Sequence, residues 1–346
     1  PFKKPLRLFT QSLEKRTVFL LRLKSDSGLE GIGEISPLPE FHPWTEDQVR
    51  NETPVFLRQW KTSALPDIQS LTQLDLLCRI PIAPIIRFGL DSALLSLLAR
   101  SRSGFLSGTP PRIHVNALVH PLDFDTLKKI QERISEGWTT FKLKVGRKPI
   151  QEESEIIRTL IRETPDTIQF RLDANRLWTP EEAITFGKSL PSDRIEYIEE
   201  PVKDFNHLPE FYSQTGIPVA LDESFHQISP NQLSFIPGLR AIIIKPEFIG
   251  SITELARIIK KLQHMGLYAV FSSSFYSPVG SILMAYLAGM LAPPTVAHGF
   301  DGLTFFDLPE ANSLIPRNGV WDLPEFNDLV TLYDKLKEFQ TDEVVI

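Results

Sequence analysis

Residues 140–175 read TFKLKVGRKPIQEESEIIRTLIRETPDTIQFRLDAN, and this stretch decides the fold. Its first apolar run, Thr140–Val145, has the alternation of a strand. Ile150–Arg162 carries apolar residues at helical spacing, and Gln169–Asp173 reads as a second strand. A strand, a helix and a strand in roughly 30 residues form a βαβ unit, which makes the two strands parallel. The unit recurs on both sides. Further strands are predicted at Ile113–Leu118, Tyr197–Glu199, Pro218–Asp222, Ala241–Ile244, Tyr268–Phe271 and Thr295–His298. Helical stretches such as Leu122–Glu136, Pro180–Leu190 and Ser251–Met265 separate them. Eight β/α repeats point to a closed α/β barrel of the TIM type. The alternative, an open doubly wound sheet, calls for a Gly-rich phosphate loop, and the chain has no G-x-G-x-x-G.

Residues 1–110 have a different texture and predict an α+β capping domain. Thr17–Leu23 reads as a strand, Ser25-Asp-Ser-Gly28 as a turn, Gly31–Ile35 as its hairpin partner and Ile85–Arg100 as an amphipathic helix. Gly104–Pro111 reads as a linker into a barrel domain spanning 111–303. The tail, 304–346, is punctuated by Pro309, Pro316 and Pro324, with a last helix over Asp328–Phe339, and is expected to pack back on the cap.

The chain has 346 residues, 42% of them hydrophobic and 23% charged, with a formal net charge of −6. An acidic chain without a dense Lys/Arg block is a poor partner for nucleic acid or an anionic membrane. The lone cysteine, Cys78, excludes an intrachain disulfide and reads as a core residue. The longest mostly apolar run, Val279–Ala292, falls short of the ~20 residues of a membrane span. No signal-peptide core follows the first charges, so the cytoplasm is the expected location.

Five consecutive predicted strands end in charge: Phe141-Lys-Leu-Lys-Val145, Phe170-Arg-Leu-Asp-Ala-Asn175, Tyr197-Ile-Glu-Glu-Pro201, Val219-Ala-Leu-Asp-Glu-Ser224 and Ile242-Ile-Ile-Lys-Pro246. Each step, from Lys144 to Asp173, Glu199, Asp222 and Lys245, is about one β/α unit, so in a barrel all five side chains meet at the C-terminal mouth. Three carboxylates suit a hard cation such as Mg²⁺. Lys142 and Lys144, two apart, face the same side. Each disfavours the other's charge, and a divalent cation adds to this, so Lys144 is expected to shift down toward working pH as a general base. Lys245 offers a second cation across the mouth. Taken singly, Asp222 is explained as well by a turn or helix N-cap, Glu199-Glu200-Pro201 by a solvated loop, and Lys142 and Lys144 by a solvated pair; the joint pattern is what argues for a site. Ser272-Ser-Ser274 is either a carboxylate-binding turn or an ordinary serine-rich one. His298 either lines the pocket or is structural, and His42, His114, His120, His207, His226 and His264 carry no assignment.

These elements resemble the enolase superfamily in its muconate-lactonizing subgroup, where Lys-x-Lys, Asp-x-Asn, Glu-Glu-Pro, Asp-Glu-Ser and Lys-Pro occur in this order. The cap segment Gly33-Glu-Ile-Ser-Pro-Leu-Pro-Glu-Phe41, with Arg171–Asn175, Ile244-Lys-Pro246 and Ser272–Ser274, is most similar to the o-succinylbenzoate synthase family. The resemblance implies a cap, completed by the tail, over a (β/α)7β barrel. It implies Asp173, Glu199 and Asp222 as ligands of Mg²⁺, with Mn²⁺ as a substitute, and Lys144 and Lys245 as the catalytic pair. Lysine bases and Mg²⁺-stabilised enediolates are that superfamily's known chemistry. It implies a small-molecule carboxylate substrate, touched by Lys142, Arg171, Asn175, Ser272 and Gly299, and a carbon–oxygen lyase acting as a dehydratase. Three departures concern substrate fit: Phe275-Tyr276 where an acidic residue is common, Gly299-Phe-Asp-Gly302 for Gly-Leu-Asp-Thr, and Gly31-Ile-Gly-Glu34 for Gly-Trp-Gly-Glu. The rivals are an N-acylamino-acid racemase or dipeptide epimerase on the same core, a metal-independent glycoside hydrolase barrel using a carboxylate pair, and a non-catalytic binding barrel.

Overall fold

A computed structural model describes residues 1–8, 10–60, 81–101, 111–228, 233, 236–308 and 314–336. Cys78, most of the Gly104–Pro111 linker, Pro309 and the end of the predicted tail helix lie outside them. The N-terminal unit holds β1 (Leu6–Arg7) antiparallel to β2 (Ser12–Leu13), and β3 (Phe19–Lys24) antiparallel to β4 (Glu30–Ile35). Its helices are α1 (Glu46–Trp60) and α2 (Pro84–Ser101). β4 lies on α2 at backbone contact. A Cβ on Gly33 would meet the Gly89 carbonyl at 2.1 Å, and one on Gly31 the Ala93 carbonyl at 2.2 Å. Only glycine permits this approach.

Parallel strands and helices then alternate. They are β5 (Arg112–Val115), β6 (Ala117–Val119), α3 (Thr126–Ser135), β7 (Thr140–Lys144), α4 (Ile150–Arg162), β8 (Gln169–Asp173), α5 (Pro180–Lys188), β9 (Ile195–Glu199), α6 (Leu208–Thr215), β10 (Val219–Leu221), β11 (Leu239–Ile244), α7 (Pro246–Ile249), α8 (Ile252–His264), β12 (Tyr268–Phe271), α9 (Pro278–Leu291) and β13 (Ala297–His298). Local chemistry sets the helix starts. Thr179 and Glu182 form a capping box with Pro180 in the first turn of α5, and Ser251 caps α8.

Strands β6 to β12 form one parallel sheet in sequential order. The ring closes through β13, which pairs in parallel with β5 and bridges β12 at Ser272 and Gly299. The predicted first strand, Ile113–Leu118, is therefore interrupted at Asn116: its β5 half meets β13 and its β6 half meets β7. In the tail, β14 (Val320–Asp322) adds antiparallel to β5, and α10 (Phe326–Leu336) packs on α2 and β4 of the cap. Arg22 of the cap pairs with Asp334 at 3.2 Å and lies over the Tyr333 ring. No helix among the described residues is long and apolar enough to cross a membrane.

Outward strand residues such as Phe141, Leu143, Phe170 and Leu172 enter the main core with the helices. Tyr197, Ala220, Ala241, Ile243, Val270 and Val296 form a separate cluster that fills the barrel. His298 is buried, and its Nδ1 accepts the Phe271 N–H at 3.1 Å, which helps close the ring. Burial, with Arg171 and His114 nearby, pushes its pKa down to about 3, so it is structural and neutral.

Two outcomes follow. Gly33→Ala is expected to destabilise the chain by about 1–3 kcal/mol through overpacking, read as a lowered denaturant midpoint. His298 also makes stability depend on pH. The unfolded imidazole takes a proton near its ordinary pKa of about 6.5, whereas the folded one resists it. Wild type therefore loses up to about 1.4 kcal/mol per pH unit below that value relative to His298→Asn. Urea midpoints of both proteins between neutral and mildly acidic pH measure the difference.

Candidate active site

The site is the next layer of the barrel above its apolar filling. Side chains on a strand return to the same face every second residue. Two residues beyond Arg171, Tyr197, Ala220, Ile243 and Val270 come Asp173, Glu199, Asp222, Lys245 and Ser272. Backbone register sets Lys144 beside Asp173 and Asp173 beside Glu199. All three carboxylates are almost fully buried: Asp173 1%, Glu199 0% and Asp222 5% exposed.

Three ammonium groups hold these acids. Asp173 Oδ2 lies between Lys144 Nζ at 2.6 Å and Lys142 Nζ at 2.9 Å. The Lys142 ammonium also donates to Glu199 Oε1 at 2.9 Å. Glu199 Oε2 is 2.7 Å from the same nitrogen, yet it lacks an aligned hydrogen bond. Across the mouth Lys245 pairs with Asp222 Oδ2, while Asp222 Oδ1 is buried with no hydrogen-bond partner. The Asp222 side chain makes no cap bond to the 3₁₀ turn that follows it, which removes the N-cap explanation. The burial of both Glu199 and Glu200 likewise removes the solvated-loop explanation.

Charge follows from this packing. Burial works against the Lys142 ammonium, but Asp173 and Glu199 outweigh it and hold its pKa well above the ordinary lysine range. At Lys142 two buried acids stand close enough to its charge to outweigh desolvation. Lys245 is raised in the same way, with burial overcome by Asp222 and Glu223. Asp173 is lowered because Lys142 and Lys144 overcome its burial. Glu199 goes the other way: burial and the neighbouring charges of Asp173 and Asp222 push it well above the carboxylate range, against the pull of Lys142.

The surroundings fix these groups. The Glu153 carboxylate accepts the N–H groups of Gly146, Arg147 and Lys148 at 2.7, 2.9 and 3.1 Å, which ties down the loop after Lys144. Asn175 Oδ1 accepts from Lys144 at 3.0 Å and from Arg147 at 3.2 Å. Glu200 accepts the backbone N–H groups of Asp222 and Ser224 at 2.8 and 2.7 Å and the Arg176 guanidinium at 2.9 Å, so it braces the strand ends. Asn175, Arg176, Glu200 and Phe275 all have positive φ. Such strain in non-glycine residues collects at functional sites.

Two of the expected substrate contacts read differently. Arg171 lies one layer below the mouth. Its guanidinium is taken up by Glu196 at 2.7 Å, Asn116 at 3.2 Å and the Ala297 carbonyl at 2.7 Å, over the Tyr197 ring. It fills the barrel. Asn175 is held against Lys144. Ser272 and Gly299 do stand together at the rim, where a Cβ on Gly299 would meet Ser272 Oγ at 2.9 Å. Phe275-Tyr276, which replaces the common acidic residue, turns inward: Tyr276 is fully buried and the Phe275 carbonyl accepts from Arg16 of the cap at 3.3 Å. Sequence reasoning passed over Arg16, Glu34, His42 and Glu247, which join cap to barrel. Glu34 lay inside the quoted cap motif, and its carboxylate caps α9 through the Ser277 and Gly280 N–H groups at 2.9 and 2.8 Å.

The residues suit a divalent ion by chemistry. The donors are all oxygen, one Asp222 oxygen is unpartnered, and Glu199 sits where negative charge is in excess. Among the described residues no three acidic, His or Cys side chains are drawn into a ready ligand cluster. The carboxylates are instead shared out among the lysines.

Known proteins fit this geometry. Residues 125–326 match the family described as enolase C-terminal domain-like, and residues 1–97 match the MenC N-terminal domain. The o-succinylbenzoate synthase of Pasteurella multocida is 33% identical over 89% of this chain and 88% of its own length. That of Edwardsiella ictaluri is 34% identical over 85% of each. In fold, the chain resembles a muconate lactonizing enzyme from Pseudomonas fluorescens solved with muconolactone (TM-score 0.77, 17% identity, 96% of this chain and 95% of that one). It also resembles a dipeptide epimerase from Enterococcus faecalis (TM-score 0.73, 21% identity, 85% and 88%). A glycoside hydrolase barrel is thereby set aside. The chain belongs to the o-succinylbenzoate synthase family of the enolase superfamily, and is a carbon–oxygen lyase of the dehydratase kind.

Proposed function

We propose that the chain converts 2-succinyl-6-hydroxy-2,4-cyclohexadiene-1-carboxylate to 2-succinylbenzoate and water in menaquinone biosynthesis, in a Mg²⁺-dependent reaction. The observation that carries this reading is Asp173 Oδ2 set between the Lys142 and Lys144 ammonium groups, with the Asp222–Lys245 pair across the mouth.

A proton α to a carboxylate is very weakly acidic, so its removal needs both a placed base and charge stabilisation of the dianionic enediolate. Bound by Asp173, Glu199 and Asp222, Mg²⁺ would supply positive charge at the enediolate oxygens. Lys144, oriented by Asn175, takes the proton in its neutral form. The electron pair left on carbon passes to the carboxylate. It then returns to break the bond to the ring hydroxyl, and protonated Lys144 gives its proton to the departing hydroxide. Aromatisation drives the step. Lys245 presents a cation on the opposite side, and Lys142 holds Asp173 and Glu199. The rim of Ser272 and Gly299 suits the succinyl group.

Lys144 and Lys245 stand at opposite ends of the carboxylate set, a placement that also serves two-base inversion. Racemisation of N-acylamino acids or epimerisation of dipeptides is therefore the second reading. Purified chain with Mg²⁺ is given each substrate. Aromatic product is expected, and α-proton exchange with inversion but no dehydration overturns the first reading.

Lys144→Ala is expected to lower kcat by roughly 10²- to 10⁴-fold, with an unchanged melting curve and retained Mg²⁺ binding by calorimetry. Loss of folding returns Lys144 to a structural role. Asp222→Asn is expected to weaken Mg²⁺ binding at least about tenfold. An unchanged titration removes Asp222 from the ligand set.

A further inference from the structure

Two adjacent cap residues grip two residues of the loop that bears Lys245. The Phe41 ring lies under the Lys245 ammonium, 4.1 Å from centroid to nitrogen. His42 Nε2 is 3.4 Å from Glu247 Oε1, and both side chains are fully buried. The His42 tautomer is set by its other nitrogen. Nδ1 accepts the Leu38 N–H at 2.7 Å, so the proton rides on Nε2 and points at the carboxylate. Ser274 Oγ donates to the same Glu247 oxygen at 2.6 Å. Glu247 Oε2 is buried without a hydrogen-bond partner, so this carboxylate depends on the two donors at Oε1. Phe248, the next residue, stacks on His226, meets Phe41 edge-on and packs at a tilt on His42 and Trp44, with centroids 4.8–5.7 Å apart.

We propose that Glu247 is a positioning residue which, when His42 of the docked cap bonds it, fixes both the Lys245 loop and the Ser272–Ser274 run in their working places. It rests on reading Lys245 and the serine run as parts of the active site. The connectivity is short. Glu247 lies two residues from Lys245 on one side and hydrogen-bonds Ser274 on the other. Ser272 and Ser273 are tied in turn to Ile244 and Gly299, since the Ser272 N–H donates to the Ile244 carbonyl at 3.0 Å and the Ser273 N–H to the Gly299 carbonyl at 3.1 Å. One buried carboxylate therefore links the cap to two walls of the mouth. Removing His42 leaves that charge short of a donor inside the protein, and the loops that carry it are expected to loosen together.

The test uses the full chain with the variants His42→Ala, Glu247→Ala, Glu247→Gln and the double alanine variant. Amide hydrogen exchange by mass spectrometry needs no turnover, so it reads the positioning role independently of the proposed substrate and mechanism. His42→Ala and Glu247→Ala are expected to speed exchange about tenfold at Ser272 and Ser273, and no further when combined. Glu247→Gln keeps an acceptor for both donors and is expected to stay near wild type. Faster exchange confined to residues 36–44 overturns the proposal, as does additive behaviour of the two alanine variants or failure of the glutamine rescue. Where the aromatising reaction is present, misplacing Lys245 is expected to lower kcat about 10- to 100-fold, with melting curves confirming folded protein. Unchanged kcat with raised KM assigns His42 and Glu247 to substrate entry and likewise overturns it.

Discussion

The structure depends on keeping three buried carboxylates together at one end of a barrel. Acids without water cannot all stay charged unless positive charge is supplied among them. Lys144 and Lys245 supply it from strand ends and Lys142 reaches up from the layer below, level with Arg171, because every strand returns to the same face at each second residue. The pairing is uneven. Asp173 has two ammonium neighbours and is held well below the carboxylate range, whereas Glu199 shares one and is pushed up. That imbalance, together with the unpartnered Asp222 oxygen, marks the point where a divalent ion best relieves the site. On the proposed reading, an ion held there would free Lys144 from acting as counter-ion, which a lysine must be before it can take a proton.

The cap takes part in this arrangement. Glu34 caps α9, Arg16 bonds the Ser36, Pro37 and Phe275 carbonyls, and Phe41 and His42 reach Lys245 and Glu247. Apart from the Ser36 and Pro37 carbonyls, which lie in the cap itself, these contacts end on segments that follow barrel strands β11 and β12. The close glycine-mediated seat of β4 on α2 gives the segment from Glu34 to Trp44 a rigid base. Exchanging Trp for Ile32 in the Gly-x-Gly-Glu motif keeps that seat, because Ile32 is wholly buried in the core.

Much of this was legible in the chain. Period-2 runs separated by period-3.6 runs determine a parallel barrel, and charges at regular intervals on strand ends determine a shared mouth. Both follow from local periodicity and covalent spacing. Asp173, Glu199, Asp222, Lys144 and Lys245 are found where that reasoning puts them, and Gly33–Phe41 points to the family.

Depth and partnership were decided only by the tertiary structure. Arg171 has the same face and motif as Asp173 yet serves the layer below, because a strand's repeat gives direction and not height within the barrel. Lys142 is raised because its charge answers to Asp173 and Glu199, which are near in space and remote in sequence. His42 and Glu247 are 205 residues apart and carry no motif. Hydrogen bonds in a desolvated interface act over a few ångströms, so only the folded chain brings such groups within reach and gives them a joint role.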